Sequence, residues 1–100
     1  MKNFIALTFW KQKPTDAIVH EHVAFLRELA KSDQVRLAGP YVDGKEAENE
    51  AGIFMFKAEN MESAQALLAT DPFISEGFQS YQLRQLKVTT PATNFEFEAE

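Results

Sequence analysis

The order in which hydrophobic periodicity changes along this chain leaves few folds open to it. Asn3 to Trp10 is apolar on both faces of a two-residue period and rich in Phe, Ile and Trp, the pattern of a strand covered on both sides. Pro14 and Thr15 then mark a turn with an N-cap. Asp16 suits the positive end of a helix dipole, and a 3.6-residue stripe runs on to about Ser32. Val35 to Val42 is a second strand, which Gly39-Pro40 either ends or confines to a sheet edge, because proline donates nothing to a ladder. Asp43-Gly44 and the charged run to Glu50 form a polar hairpin connection, and Gly52 to Ala58 is a third strand. Asn60 caps a second helix from Met61 to about Ala69, Asp71-Pro72 opens a short helix reaching Glu76, and Phe78 to Val88 supplies the fourth strand. A break of register near Gln85 predicts a bulge there or an early end. With right-handed crossovers, the order βαββαβ specifies an α+β, ferredoxin-like sandwich: a four-stranded antiparallel sheet with two helices on one face.

That sandwich leaves one sheet face open, while the strands read as apolar on both sides. In a chain of 100 residues with 45% hydrophobic content, a second copy is the economical cover, so a homodimer is expected. The domain spans residues 1–88. Beyond it, Thr89 to Thr93 is a proline-broken linker, and Phe95 and Phe97 alternate with Glu96 and Glu98. That tail, 89–100, is either a frayed acidic end or an arm added to its own or a neighbour's sheet edge. With no cysteine there are no disulfides, thiolate metal sites or cysteine nucleophiles, which fits a reducing, cytoplasmic location. The N-terminal MKNFIALTFWKQK lacks a small-residue cleavage site and is too short to span a bilayer. The net charge of -5 is spread along the chain without a basic stripe, which argues against nucleic acid and anionic membranes as partners.

One polar residue interrupts the apolar stripe of the first helix. At about 100° per residue, Ile18, Val19, Phe25, Leu26, Leu29 and Ala30 fall within roughly 80° of the direction of His22, whereas His20 points away. A core-facing imidazole needs partners for its ring nitrogens and exchanges protons near neutral pH. It is either a structural histidine bonded to a neighbouring strand or an acid, base or ligand.

Asp71 at an N-cap with Pro72 at N1 is a common way to start a helix. A carboxylate held near an imidazole also fixes its tautomer and raises its basicity, and the two roles are compatible. Gly39-Pro40 offers rigid, extended backbone without bulk at Gly39, suited to close approach by a ligand or another chain. Phe9, Trp10, Tyr41, Phe54, Phe56 and Phe73 can line an apolar pocket, although aromatics at strand spacing more often belong to a core. Gly39, Pro40 and Phe73 are thus candidate substrate-binding residues. There is no Gly-rich phosphate loop, G-x-S-x-G elbow or H-E-x-x-H, and His20 and His22 diverge, so neither a metal site nor a cofactor is expected.

The stretch His22-Val23-Ala24-Phe25-Leu26-Arg27-Glu28-Leu29, followed by Leu37-Ala38-Gly39-Pro40, a polar loop, an apolar strand, the Ala-rich helix Ser63 to Ala69 and Asp71-Pro72-Phe73, resembles the YciI-like (YCII-related) family. The resemblance covers about residues 1–88. It implies that His22, opening the H-x-x-x-L segment, and Asp71, of the D-P-aromatic segment, are an active-site pair. It also implies a ferredoxin-like sandwich that dimerises into an α/β barrel. Members linked to dehydrochlorination of chlorinated hydroxyquinols, and the wider dimeric α/β-barrel superfamily, imply lyase or isomerase chemistry by acid and base on a small molecule, cyclic substrates included. A non-catalytic dimer that binds a small molecule is the alternative. The chain departs from the family pattern at Ser32-Asp33-Gln34, which lacks the usual glycine before the second strand, and in the tail after Val88.

Overall fold

The computed structural model describes residues 1–91. Its elements are β1 (Lys2–Trp10), α1 (Asp16–Lys31), β2 (Val35–Pro40), a 3-10 turn (Glu46–Glu48), β3 (Glu50–Ala58), α2 (Met61–Leu68), α3 (Pro72–Ser75) and β4 (Gln79–Leu86). The strands form one antiparallel sheet in the order β2-β3-β1-β4, which is the split βαββαβ arrangement expected. The expectation for Phe95 and Phe97 falls outside the described residues.

The helix starts follow from local hydrogen bonding. The Thr15 side chain accepts from the Ile18 amide at 3.2 Å, and the Asn60 side chain accepts from the Ser63 amide at 2.8 Å. At the end of α1, Asp33 adopts a left-handed conformation with φ 58°, the geometry a glycine would ordinarily supply. Aspartate tolerates it, and its carboxylate then meets Arg36 at 3.3 Å and Lys57 at 3.5 Å, contacts a glycine could not make.

Residues alternate in burial along the central strands. Phe4, Ala6, Phe54, Phe56, Ala58 and Leu83 form the core with Ala64 and Leu68 of α2, and Phe25, Leu26 and Leu29 of α1 pack against it. Both long helices therefore cover the same face of the sheet. Phe4 and Phe56 are opposite one another in the β1–β3 register and stack with centroids 6.0 Å apart. The other face carries Ile5, Leu7, Phe9, Ile53 and Met55, all only partly buried, with Leu37 at its edge 41% exposed.

Two local expectations change. Val19 is 37% exposed and Ala30 is exposed, so the stripe of α1 is narrower than predicted, because its neighbours Ile18, His22, Phe25 and Leu29 already span the contact. β4 is not apolar on both sides: Ser80, Gln82 and Arg84, opposite Phe9, Leu7 and Ile5, give its open face a polar border. Of the two outcomes expected near Gln85, the early end is the one found: β4 stops at Leu86, in unbroken register with β1 and without a bulge.

The sheet irregularities lie elsewhere, between Thr8 and Phe9, where β1 shifts against β3, and between Val35 and Leu37, where β2 shifts against β3. The Thr8 hydroxyl donates to the Gly52 carbonyl and accepts from the Gly52 amide, both at 3.1 Å. A Cβ on Gly52 would lie 2.9 Å from Pro40 Cα and closer still to the Gly39 carbonyl, so only glycine lets β2 cross there. Among the described residues, no helix is long and apolar enough to cross a membrane.

Candidate active site

His22 stands in the second turn of α1, a position fixed by the Thr15 cap. Asp71 stands where α2 hands over to α3. The Asp71 amide donates to the Leu68 carbonyl at 3.0 Å, its own carbonyl accepts from Ile74 and Ser75 at 2.8 Å each, and its backbone is extended. That geometry turns the side chain onto the start of α3, where Oδ1 accepts from the Phe73 amide at 3.0 Å. Pro72 at N1 presets the helical φ and lacks an amide that would need a partner.

The same oxygen accepts from His22 Nδ1 at 2.8 Å. The Asp71 side chain is only 5% exposed, so its charge needs partners, and the Phe73 amide and the imidazole supply them. The His22 side chain retains 21% of its exposure. A carboxylate only accepts, so Nδ1 carries the hydrogen and the lone pair of the neutral ring falls on Nε2. Among the described residues Nε2 makes no hydrogen bond, which leaves it for a molecule from solvent.

The ring is held from its side as well. His22 stacks on Phe73 with centroids 3.9 Å apart and planes 16° from parallel, and Trp10 meets Phe73 edge to face at 5.1 Å and 71°. Trp10 reaches this place because alternation along β1 sends it to the helix-covered face, beyond Thr8. Asp71 thus sets one degree of freedom of the imidazole and Phe73 another.

The structure brings together three of the five candidate residues, His22, Asp71 and Phe73. Gly39 and Pro40 lie at the end of edge strand β2, with β3 between them and β1, so about 10 Å of sheet separates them from Trp10. A Cβ on Gly39 would meet nothing within 4 Å, so its backbone is open to approach from outside. Trp10 appeared in the sequence only as one aromatic among several; no local signal marks it, because its partner Phe73 is distant in sequence.

Beside Trp10 a cleft of about 450 Å³ opens between the β1–α1 and β2–β3 connections. His22 and Asp71 do not line it, but Trp10 does, and Trp10 is one ring contact from Phe73. Among the described residues, no three His, Asp or Glu side chains are grouped to hold a metal ion.

In fold, the chain is similar to 5-chloro-2-hydroxyhydroquinone dehydrochlorinase (TftG) from Burkholderia phenoliruptrix AC1100, in complex with 2,5-dihydroxybenzoquinone. The TM-score is 0.62 at 14% sequence identity, over 85% of this chain and 93% of that one. No curated protein matches the chain. The model of the YCII-related domain matches residues 3–87, a span that holds β1 through β4 with both His22 and Asp71, and the chain belongs to the YCII-related family.

Proposed function

We propose that the chain is an acid–base enzyme of lyase or isomerase type, with His22 as the group that moves the proton and Asp71 as the group that orients it. The observation that carries this reading is the 2.8 Å bond from Nδ1 to a carboxylate buried to 5% exposure, with Nε2 left unengaged. Nε2 of the neutral ring takes a proton from a C–H or O–H group of the substrate. The electrons of that bond form a new double bond, and in an elimination a leaving group departs with its own bonding pair. His22 is then an imidazolium beside the Asp71 carboxylate, and return of its proton to product or solvent completes the cycle. Asp71 does not move a proton in this scheme; it holds the tautomer and offsets the ring's charge.

Similarity to a dehydrochlorinase solved with a dihydroxybenzoquinone supports a small cyclic substrate. We also place Gly39, Pro40 and Phe73 at the substrate, with Phe73 fixing the imidazole plane and the open Gly39 backbone facing an incoming ligand or chain. The partly buried face of Ile5, Leu7, Phe9, Ile53 and Met55 supports a homodimer closed on that face as an α/β barrel. A non-catalytic dimer that binds a small molecule is the second reading, favoured by the double duty of Asp71 Oδ1, which ties α1 to α3 whether or not chemistry occurs.

The deciding experiment compares His22→Gln with the wild type for both turnover and ligand affinity on hydroxylated and halogenated ring compounds. The enzyme reading expects turnover to fall by at least about a hundredfold, the usual worth of a general base, with affinity retained. Parallel loss of binding and turnover, or a wild type with no turnover on any ring tested, supports the binding protein instead.

A further inference from the structure

We infer that Gln79 is the second polar group of the His22 site, its side-chain N–H donating to a carbonyl oxygen of an uncharged ligand. That His22 then removes a proton from the carbon next to this carbonyl rests on the acid–base reading above.

Gln79 opens β4 and is only 7% exposed. Alternation puts its side chain on the same face as Tyr81 and Leu83, both of which pack in the helix-covered core. Yet among the described residues that side chain makes no hydrogen bond, and neither its nitrogen nor its oxygen is sealed from solvent. Asp71, also buried, has its bonds to the Phe73 amide and to His22. A buried amide without a partner destabilises a fold, so the core has no use for glutamine at this position, whereas a ligand that reaches the amide does.

The sheet register brings Gln79 to the same place as His22. Gln79 pairs with Trp10 across β1 and β4, which sets their Cβ atoms about 5 Å apart. The adjacent Phe78 amide donates to the Phe73 carbonyl at 2.9 Å, tying the start of β4 to α3. Trp10 meets the Phe73 ring, and the His22 imidazole stacks on it. His22 and Gln79 are therefore both anchored on Phe73, one through the ring stack and the other through Trp10 and Phe78.

The charges of the pair select the ligand. A neutral His22 beside the Asp71 carboxylate leaves the site with one negative charge, which repels an anion. A primary amide is uncharged and offers two N–H donors and one acceptor oxygen, so it suits a neutral acceptor. A carbonyl oxygen is such an acceptor, and its charge grows when a neighbouring C–H is deprotonated. As Nε2 takes that proton, the C–H pair becomes a C=C bond and the carbonyl π pair moves onto oxygen, where the bond from Gln79 strengthens. Return of the proton from His22 to carbon restores the carbonyl, so no co-reactant is consumed.

The test uses the whole 15N-labelled chain, with cyclohexanone as the probe and cyclohexanecarboxylate as its anionic counterpart. Expected is a saturable shift of the Gln79 side-chain NH2 signals, identified by their absence in Gln79→Met. Cyclohexanone should bind at least about fivefold more tightly than the carboxylate. Gln79→Met, similar in length but without a donor, should weaken cyclohexanone binding by about three- to tenfold, the worth of one neutral hydrogen bond. Its melting temperature should stay level or rise, because no bond within the fold is lost. A purely structural glutamine gives the opposite, a lower melting temperature with affinity unmoved. That result, a preference for the carboxylate, or shifts that do not saturate would overturn the inference. Exchange of the cyclohexanone α-hydrogens in D2O, followed by proton NMR, separates binding from chemistry. Loss of exchange in His22→Gln with binding retained supports both. Gln79-dependent binding with exchange no faster than in buffer rejects the acid–base step and keeps the ligand site. His22-dependent exchange that Gln79→Met leaves unaltered rejects the role of Gln79 and keeps the acid–base reading.

Discussion

Replacing Asp71 with alanine removes two bonds that end on one oxygen, and the structure allows their costs to be separated. Loss of the N-cap to the Phe73 amide costs about 1 kcal/mol. Loss of a hydrogen bond to a charged acceptor costs roughly 1.5–3 kcal/mol, and the lower end applies because the 21% exposed imidazole can recruit water. Asp71→Ala should therefore destabilise the fold by about 2–3 kcal/mol. Asp71→Asn keeps an oxygen acceptor for both donors and loses only the charge assistance, for about 1 kcal/mol. Urea unfolding at one fixed protein concentration measures both, and His22→Ala with the double variant completes a cycle. A coupling of about 1–2 kcal/mol between positions 22 and 71 is expected for groups in direct contact. An Asp71→Ala variant within about 0.5 kcal/mol of the wild type, or a cycle that closes to zero, would falsify the shared-oxygen geometry.

Gly52→Ala should lower the melting temperature by about 10 °C or more, since its Cβ would lie 2.9 Å from Pro40 Cα and displace edge strand β2; scanning calorimetry checks it, and an unchanged melting point refutes the close crossing. The open sheet face predicts a dimer in sedimentation at micromolar concentration, and Ile53→Lys should shift it to monomer. A wild type that sediments as a stable monomer excludes the barrel. Phe73→Leu should leave the Asp71 cap intact but release the imidazole from its stack, so turnover falls more than stability; equal losses would make Phe73 a core residue only.

Much of this was legible in local sequence because local chemistry decides it. Thr15, Asn60 and Asp71 each cap the helix that follows, and each is recognised by a side-chain oxygen ahead of a periodic segment. Placing His22 inward needed only the 100° rotation per residue. The polar alternation of Ser80, Gln82 and Arg84 with Tyr81 and Leu83 was equally present in the sequence, but the apolar positions of that segment masked it. Other features have no local signature. The shift at Thr8/Phe9 depends on Gly52, and the need for glycine there depends on β2, so three strands must be assembled before its reason exists. The His22–Asp71 contact joins positions 49 residues apart, and the family resemblance suggested it where spacing could not. Asp33 stands where a glycine is expected, and its side chain meets Arg36 and Lys57, which sequence alone does not bring together.

In the proposed reading, Asp71 leaves His22 Nε2 as the free base of the site. Two-dimensional 15N–1H spectra of the histidine rings, recorded well above the ordinary imidazole pKa of about 6.5, read the tautomer directly, with exposed His20 as the internal reference. His22 should carry its hydrogen on Nδ1 and show an unprotonated Nε2 in the wild type, with the preference lost in Asp71→Ala. An Nε2–H tautomer in the wild type would contradict it, because the lone pair would then face a carboxylate and no base would remain for a substrate.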